Sequence, residues 1–302
     1  MTLFLVGVVT GLGLGGIYAI VALSYTIIVA ASGVFNFAIG SIVMGGGLTA
    51  YGLSVVLHLP LLGVVGVVAV GGAIVGIATY VGSVAPVTRR LGVRGMTETT
   101  LVTTLGLGLA FNQIMTIAFG INTYPDPGYV SQQAFIVAGA PIQPAYILIV
   151  CAAVLIAVVF EGFLRKTRMG LLLRASVEDP EGALLAGISV RKVTLRAFAA
   201  GGLLAAIAGL LVVPLTDASS NIATQVGLWS FVGMGIGGFG SFSGALVGGL
   251  IAGLITGIGQ VYVNPSLVNL IVYVVLVAVL LIRPTGLFGA RGGFGTAKLR
   301  EI

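Results

Sequence analysis

Long apolar runs separated by short polar stretches make up most of the chain. An α-helix needs roughly 20 apolar residues to cross a hydrocarbon core of about 30 Å. The pattern predicts an all-α, polytopic helical membrane protein with eight to nine transmembrane segments. The segments are Leu3–Ala30, Ala38–Leu57, Leu61–Val84, Thr99–Phe119, Ala145–Phe160, Ala197–Val213, Val226–Gly240, Gly244–Val261 and Leu267–Ile282.

Composition supports a membrane protein. Of the 302 residues, 58% are hydrophobic and 7% are charged, whereas about 25% of the residues in a soluble domain are charged. The net charge of +6 does not indicate nucleic-acid binding, because no basic patch is interleaved with exposed aromatic residues. The single cysteine, Cys151, excludes a disulfide within the chain.

All basic residues lie in three segments: 89–94, 165–196 and the tail from Arg283. By the positive-inside rule these segments are cytoplasmic, and even numbers of predicted spans separate them. Three spans before the first segment would place the N-terminus outside. A re-entrant piece around 33–47 would instead leave eight full spans and an N-terminus inside, so both topologies stay open.

Glycine-rich patterns at Gly11–Gly16 and Gly235–Gly240 match G-x-G-x-x-G, but they lie in apolar runs rather than between a strand and an amphipathic helix. They predict close helix packing, with a helix–helix turn at Gly237–Gly244; broken helices that line a solute path are the alternative. The sequence has no P-loop, no metal-ligand cluster and no mid-span charge. We therefore expect a non-enzymatic membrane protein that borrows energy from a partner.

The longest polar interruption extends from Arg165 to Arg196. Pro180 suits the first position of a short amphipathic helix, and Gly187 suits its end. Its apolar positions, Ala183, Leu184, Leu185 and Ile188, could enter a groove on a partner or rest in the lipid headgroup region. The loop at 120–144 is rich in Pro, Gly and amides, which predicts an external loop with short extended pieces.

Four blocks of the sequence carry distinctive motifs. The polar segment and the span after it, Arg168–Leu211, read RMGLLLRASVEDPEGALLAGISVRKVTLRAFAAGGLLAAIAGLL, and the N-terminal block Gly16–Gly47 contains Asn-Phe-Ala. The C-terminal blocks are GGFGSFSGALVGGLIAG and RPTGLFG. These blocks resemble the permease subunits of branched-chain amino acid ABC transporters. Ile39 and Ser243 depart from the family pattern, where His and Pro are common. Relatives that carry urea or short amides therefore remain an alternative.

The resemblance implies a single permease domain over 1–302, the shorter of two paired permeases. Its ATPase-coupling loop would lie at about 163–195 and its external loop at about 120–144. Implied partners are a second permease, two ATP-binding cassette ATPases, an external solute-binding protein and membrane lipid. The chain itself would bind no cofactor, since the ATPases hydrolyse ATP. The family's coupling pattern matches Arg174, Glu178, Asp179, Glu181, Ala183, Gly187 and Ile188.

Two further residues are candidates for the substrate pathway, Asn36 and Phe37. Asn36 could offer a polar group to a passing zwitterion, or it could cap a broken helix. The implied location is the bacterial cytoplasmic (inner) membrane, with a multi-pass topology. The rival interpretations are a self-sufficient secondary transporter and a structural membrane subunit without a solute path.

Overall fold

The computed structural model describes residues 2–91, 96–130, 133–137, 140–178 and 180–289. Helices dominate this part of the chain, and the two short strands form an antiparallel pair. Two π-helical stretches, Gly52–Val56 and Tyr80–Val84, continue the α-helices that end at Tyr51 and Thr79. In order, the elements are α1 (Thr2–Ser32), α2 (Ile39–Tyr51), α3 (Leu61–Thr79), α4 (Ala85–Leu91), α5 (Met96–Phe119), β1 (Phe135–Val137), β2 (Ala140–Ile142), α6 (Pro144–Lys166), α7 (Arg168–Glu178), α8 (Pro180–Leu185), α9 (Val190–Thr216), α10 (Ile222–Gly237), α11 (Phe242–Tyr262) and α12 (Pro265–Ile282).

Each of the nine apolar runs forms one helix, which confirms the polytopic all-α prediction. Seven helices in the described ranges are long and apolar enough to cross a membrane, and α10 and α12 are shorter apolar helices. The turn predicted near Gly237–Gly244 is also confirmed, since α10 ends at Gly237 and α11 begins at Phe242. The extended pieces predicted after Gly120 are β1 and β2.

The central segment is more helical than its charge predicts. Helix α6 continues past Phe160 to Lys166, and α9 begins at Val190 rather than Ala197. Hydrophobicity marks the length of helix within lipid, whereas backbone hydrogen bonding continues into water as long as the residues tolerate helix geometry. The predicted coupling loop is therefore a series of short helices and tight turns.

Glycines bring α1 and α11 into backbone contact. A Cβ at Gly253 would overlap the Cα of Gly15, and one at Gly257 would overlap the Cα of Gly11. In lipid, where dispersion rather than the hydrophobic effect holds helices together, this close approach maximises packing. The glycine-rich patterns therefore serve as helix contacts, as the sequence predicts.

The same kind of contact joins α9 to α3. Gly202 meets the backbone of Gly72, and Gly76 meets the carbonyl of Phe198. The contacts between the N-terminal and C-terminal helices are reciprocal: α2 packs on α9, and α10 packs on α1. Since α1 and α9 are antiparallel, the units α1–α2–α3 and α9–α10–α11 form an inverted repeat around a shared core.

The antiparallel crossing of α1 and α9 assigns the connections to two ends of the bundle. Ser24 Oγ donates to the Gly201 carbonyl at 2.5 Å, and Thr194 Oγ1 donates to the Ala31 carbonyl at 3.1 Å. The C-terminal end of α1 therefore lies beside the start of α9, at the end of the bundle that carries the central basic segment. We call this the basic end. At the opposite end, Tyr124 forms a β-bridge with Ala218.

Candidate coupling corner and helix break

A sharp corner joins α6 to α7 at the basic end. Thr167 Oγ1 accepts the backbone N–H of Gly170 at 3.2 Å, which caps the first turn of α7. Any Cβ at Gly170 would overlap the backbone of Leu164, so only glycine permits the chain to fold back this closely. Leu164 and Leu173 are both buried, which fixes the corner to the bundle.

Helix α8 begins at Pro180 and ends before Gly187, as the sequence predicts. Gly187 has a φ of 77°, in the left-handed region that favours glycine. The backbone N–H of Ile188 then donates to the carbonyl of Ala183 at 2.9 Å, the six-to-one bond of a Schellman cap. Ala183, Gly187 and Ile188 thus form a single helix-ending unit, which we call the α8 cap.

The prediction that one apolar face of α8 projects outward is wrong. Ala183 is buried within this chain, and Ile188 is half-buried against the main core, whereas Leu185 is 91% exposed. Positions 183 and 185 lie about 200° apart around a helix, so they cannot share one face. Of these three residues, only Leu185 offers a free apolar surface at the basic end.

The structure describes less of the four charged coupling candidates. Asp179 lies outside the described residues. Arg174 and Glu178 belong to α7 and Glu181 to α8, while their side chains lie outside the description. The structure thus places the backbones of these three residues on the short helices of the corner, and their coupling role stays a prediction.

Basic side chains surround the corner. Five of them are exposed on the last turn of α6, the first turn of α7 and the first two turns of α9: Lys166, Arg168, Arg191, Lys192 and Arg196. Immediately below them, Val193 and Thr194 are buried against the bundle. The corner therefore presents a positively charged outer surface on a rigid apolar base.

The connection between α1 and α2 contains the second predicted site. Gly33 has a φ of 70°, which turns the chain out of α1. Asn36 is fully buried, and its Oδ1 accepts the N–H of Ala38 at 3.1 Å. This hydrogen bond supports the capping role for Asn36, while its Nδ2 has no protein hydrogen-bond partner.

Aromatic rings enclose this helix break. The ring centroid of Phe231 lies 5.6 Å from that of Phe35 and 5.7 Å from that of Phe37. Phe239, just after α10, packs on Phe35 at 5.5 Å. Phe37 is therefore part of an aromatic cluster that holds the break against α10.

Thr104 is a residue of the break that sequence reasoning missed. Its Oγ1 accepts the N–H of Phe37 at 3.4 Å and lies 3.5 Å from the carbonyl of Phe35. Thr104 is buried on α5, nearly 70 positions from the break in the chain. The one signal in the sequence is that Thr104 places a hydroxyl group within an apolar run, because such groups need hydrogen-bond partners in lipid.

The fold is that of a polytopic helical membrane protein. The family model for "branched-chain amino acid transport system / permease component" matches residues 7–280. The chain therefore belongs to this permease family, whose members transport solutes rather than catalyse reactions.

Relatives of similar length agree with this family. The high-affinity branched-chain amino acid transport system permease protein LivH of Escherichia coli K12 is 29% identical over 298 residues, covering 95% of this chain and 96% of the relative. LivH of Salmonella typhimurium is 28% identical with the same coverage. BraD of Pseudomonas aeruginosa is 26% identical over 295 residues, again covering 95% and 96% of the two chains. No solved structure matches this chain.

Proposed function

We propose that the chain is the membrane-spanning permease of an ATP-driven importer of branched-chain amino acids. The observation that carries this proposal is the family match over most of the chain. The complete importer contains a second permease, two ATP-binding cassette ATPases and an external solute-binding protein. ATP binds to the ATPases, and this chain contributes the solute path and the surface on which one ATPase docks.

The coupling corner supports ATPase docking. A docking element must be fixed to the helices that it moves, and α7 is fixed at Gly170 while α9 is bonded to α1 through Thr194. Exposed Leu185 supplies an apolar anchor, and the surrounding cations suit an acidic rim on the partner. In this mechanism, ATPase closure displaces the corner, and the inverted repeats rearrange to expose the solute path.

Charge distribution supports the bacterial cytoplasmic membrane, with the basic end inside. The central basic segment, one of three in the sequence, lies at this end of the bundle between α6 and α9. The positive-inside rule orients such a protein with those segments in the cytoplasm. The bundle end marked by Tyr124 and Ala218 then faces the external binding protein.

Transport by reconstituted complexes tests this proposal. The chain is co-expressed with its genomic neighbours, and uptake of labelled leucine and labelled urea into proteoliposomes is measured. Separate samples receive ATP on the basic side, ATP on the opposite side, or an imposed ion gradient. We expect leucine uptake only with ATP on the basic side and the binding protein on the other.

Two results would contradict the proposal. Uptake driven by the ion gradient alone would identify a secondary transporter and remove the coupling role of the corner. ATP-driven uptake of urea without leucine would retain the importer but change its substrate. The variant Leu185→Ser tests docking separately, because it should reduce co-purification of the ATPase while leaving the buried core unchanged.

A further inference from the structure

A cavity of about 160 Å³ opens at the end of the bundle opposite the coupling corner. Five helices line it: α1, α6, α9, α10 and α11. Thr216 is the last residue of α9, and Gln260 lies two residues before the end of α11. The cavity therefore lies near the surface that faces the external binding protein in the proposed orientation.

Polar and apolar groups occupy different depths of this cavity. Gln225 and Gln260 line it with exposed amide side chains, and Thr216 and Tyr146 are half-buried. Leu14 is buried, as is Val226 in α10, and Leu215 is half-buried beside them. The arrangement provides a polar mouth above an apolar floor of aliphatic side chains and the buried ring of Tyr18.

The size of the cavity suits a single small molecule. A cavity of roughly 150 Å³ in another protein holds one benzene molecule, so the volume here accommodates one short aliphatic side chain with its polar backbone groups. Among the residues that the structure describes, no charged side chain lines the cavity. Solutes with charged side chains would lose hydration there without gaining an ion pair.

Helix ends supply the electrostatics that the lining side chains lack. Leu215 and Thr216 lie at the C-terminal end of α9, where partial negative charge favours an ammonium group. Pro214 lacks an N–H and therefore leaves a carbonyl of the preceding turn without its usual helix partner. Gln225 lies at the end of the first turn of α10, near the positive end of that helix, which favours a carboxylate. Its backbone N–H already donates to the carbonyl of Asn221, so its side-chain amide is the donor available to a solute.

We infer that this cavity is the site at which the permease receives its solute, a zwitterionic amino acid with an aliphatic side chain. The inference rests on the proposed function and adds to it a binding site on this chain. The polar mouth and the two helix ends bind the ammonium and carboxylate groups. The apolar floor binds the side chain, and the lack of charge among the described lining residues excludes lysine-like solutes.

Uptake by two variants tests this site. Gln225→Leu and Gln260→Leu remove amide hydrogen bonds at the mouth while retaining side-chain volume. In the reconstituted complex we expect each variant to lower leucine uptake about tenfold or more, as the loss of one strong hydrogen bond requires. The matched control is Gln113→Leu, since Gln113 is an exposed amide on α5 outside the cavity. This control should transport within about twofold of the unmodified complex.

Substrate protection provides a readout that a purely structural role would not change. The single cysteine is first replaced by Cys151→Ser, and Thr216→Cys is then labelled with a small charged thiol reagent. Leucine at about ten times its dissociation constant should slow this labelling about tenfold, whereas lysine at the same concentration should not. The control is Asn122→Cys, an exposed position of the external loop that leucine should leave unprotected.

The outcomes separate this inference from the proposed function. If the unmodified complex shows no ATP-driven leucine uptake, the proposed function fails. If it transports leucine, uptake by both glutamine variants within about twofold of the unmodified complex overturns the site. A Thr216→Cys labelling rate that leucine does not change also overturns it, and this variant decides the question if the glutamine variants do not assemble.

Discussion

The hydroxyl of Thr194 near the start of α9 lies 3.1 Å from the carbonyl oxygen of Ala31 at the end of α1. It shares its one hydrogen between this carbonyl and that of Val190 in its own helix, 3.0 Å away. Thr194 and Ala31 are both buried, and 163 positions of the chain separate them. The bond therefore joins the two inverted units at the point where the coupling corner enters the bundle. Motion at the corner is expected to reach α1 through this contact.

Thr194→Val tests that connection, because valine keeps the shape of threonine and removes its hydroxyl. The buried Ala31 carbonyl then loses a donor, and we expect the free energy of unfolding to fall by about 1–2 kcal/mol. Transport per ATP hydrolysed should fall as well. Thermal unfolding in detergent and paired uptake and ATPase assays measure the two effects.

Thr26→Val is the matched control, since Thr26 is buried in α1 and its hydroxyl, among the described residues, bonds to the Ala22 carbonyl of the same helix. This variant should retain the coupling ratio. Equal loss of coupling in both variants would show that the Thr194–Ala31 bond has no special role between the units.

Gly187→Ala should distort the α8 cap through backbone strain alone. Nothing lies within 4 Å of a Cβ at this position, but its φ of 77° costs an L-residue about 1–2 kcal/mol. We expect reduced co-purification of the ATPase with unchanged membrane insertion. Gly162→Ala in α6 is the control, because it also has open space and lies within a helix. Undiminished ATPase binding by Gly187→Ala would show that the α8 cap is not part of the docking surface.

The sequence predicts the helices well because each one is a long local pattern. The local pattern fails at Ala183 and Leu185. It predicts that both belong to one apolar face of α8, whereas Ala183 is buried and Leu185 is exposed. The cavity at Gln225 and Gln260 was not predicted at all. Its residues come from five helices, so no local spacing brings them together, and only the packing of α1 between α6 and α11 does so.

Gly253→Ala should destabilise the contact between α1 and α11. A Cβ at this position overlaps the backbone of Gly15, which cannot move without separating the helices. Overpacking of this kind costs typically about 1–3 kcal/mol, and thermal unfolding in detergent measures it. Gly106→Ala is the control, because its Cβ would meet nothing within 4 Å. Equal melting temperatures for the two variants would contradict the assigned close packing.

Asn36→Ala should weaken the helix break. The N–H of Ala38 would lose its acceptor in a fully buried site, at a cost of about 1–3 kcal/mol. Asn36→Asp keeps an oxygen at the capping position and should retain more stability when its carboxyl group is protonated at low pH. Thermal unfolding across a pH series compares the two. If Asn36→Ala melts at the same temperature as the unmodified protein, the helix break does not depend on the Oδ1 acceptor.

The orientation of α1 predicts the location of the N-terminus. Helix α1 is antiparallel to α9, so its first residues lie at the end opposite the basic end. In a Cys151→Ser background, Thr2→Cys should react with an impermeant maleimide in intact cells. Lys192→Cys, exposed at the basic end, should react only after the membrane is opened. The reverse pattern would place the basic end outside, whereas protection of both positions in intact cells would place the N-terminus inside with α2 as a re-entrant helix.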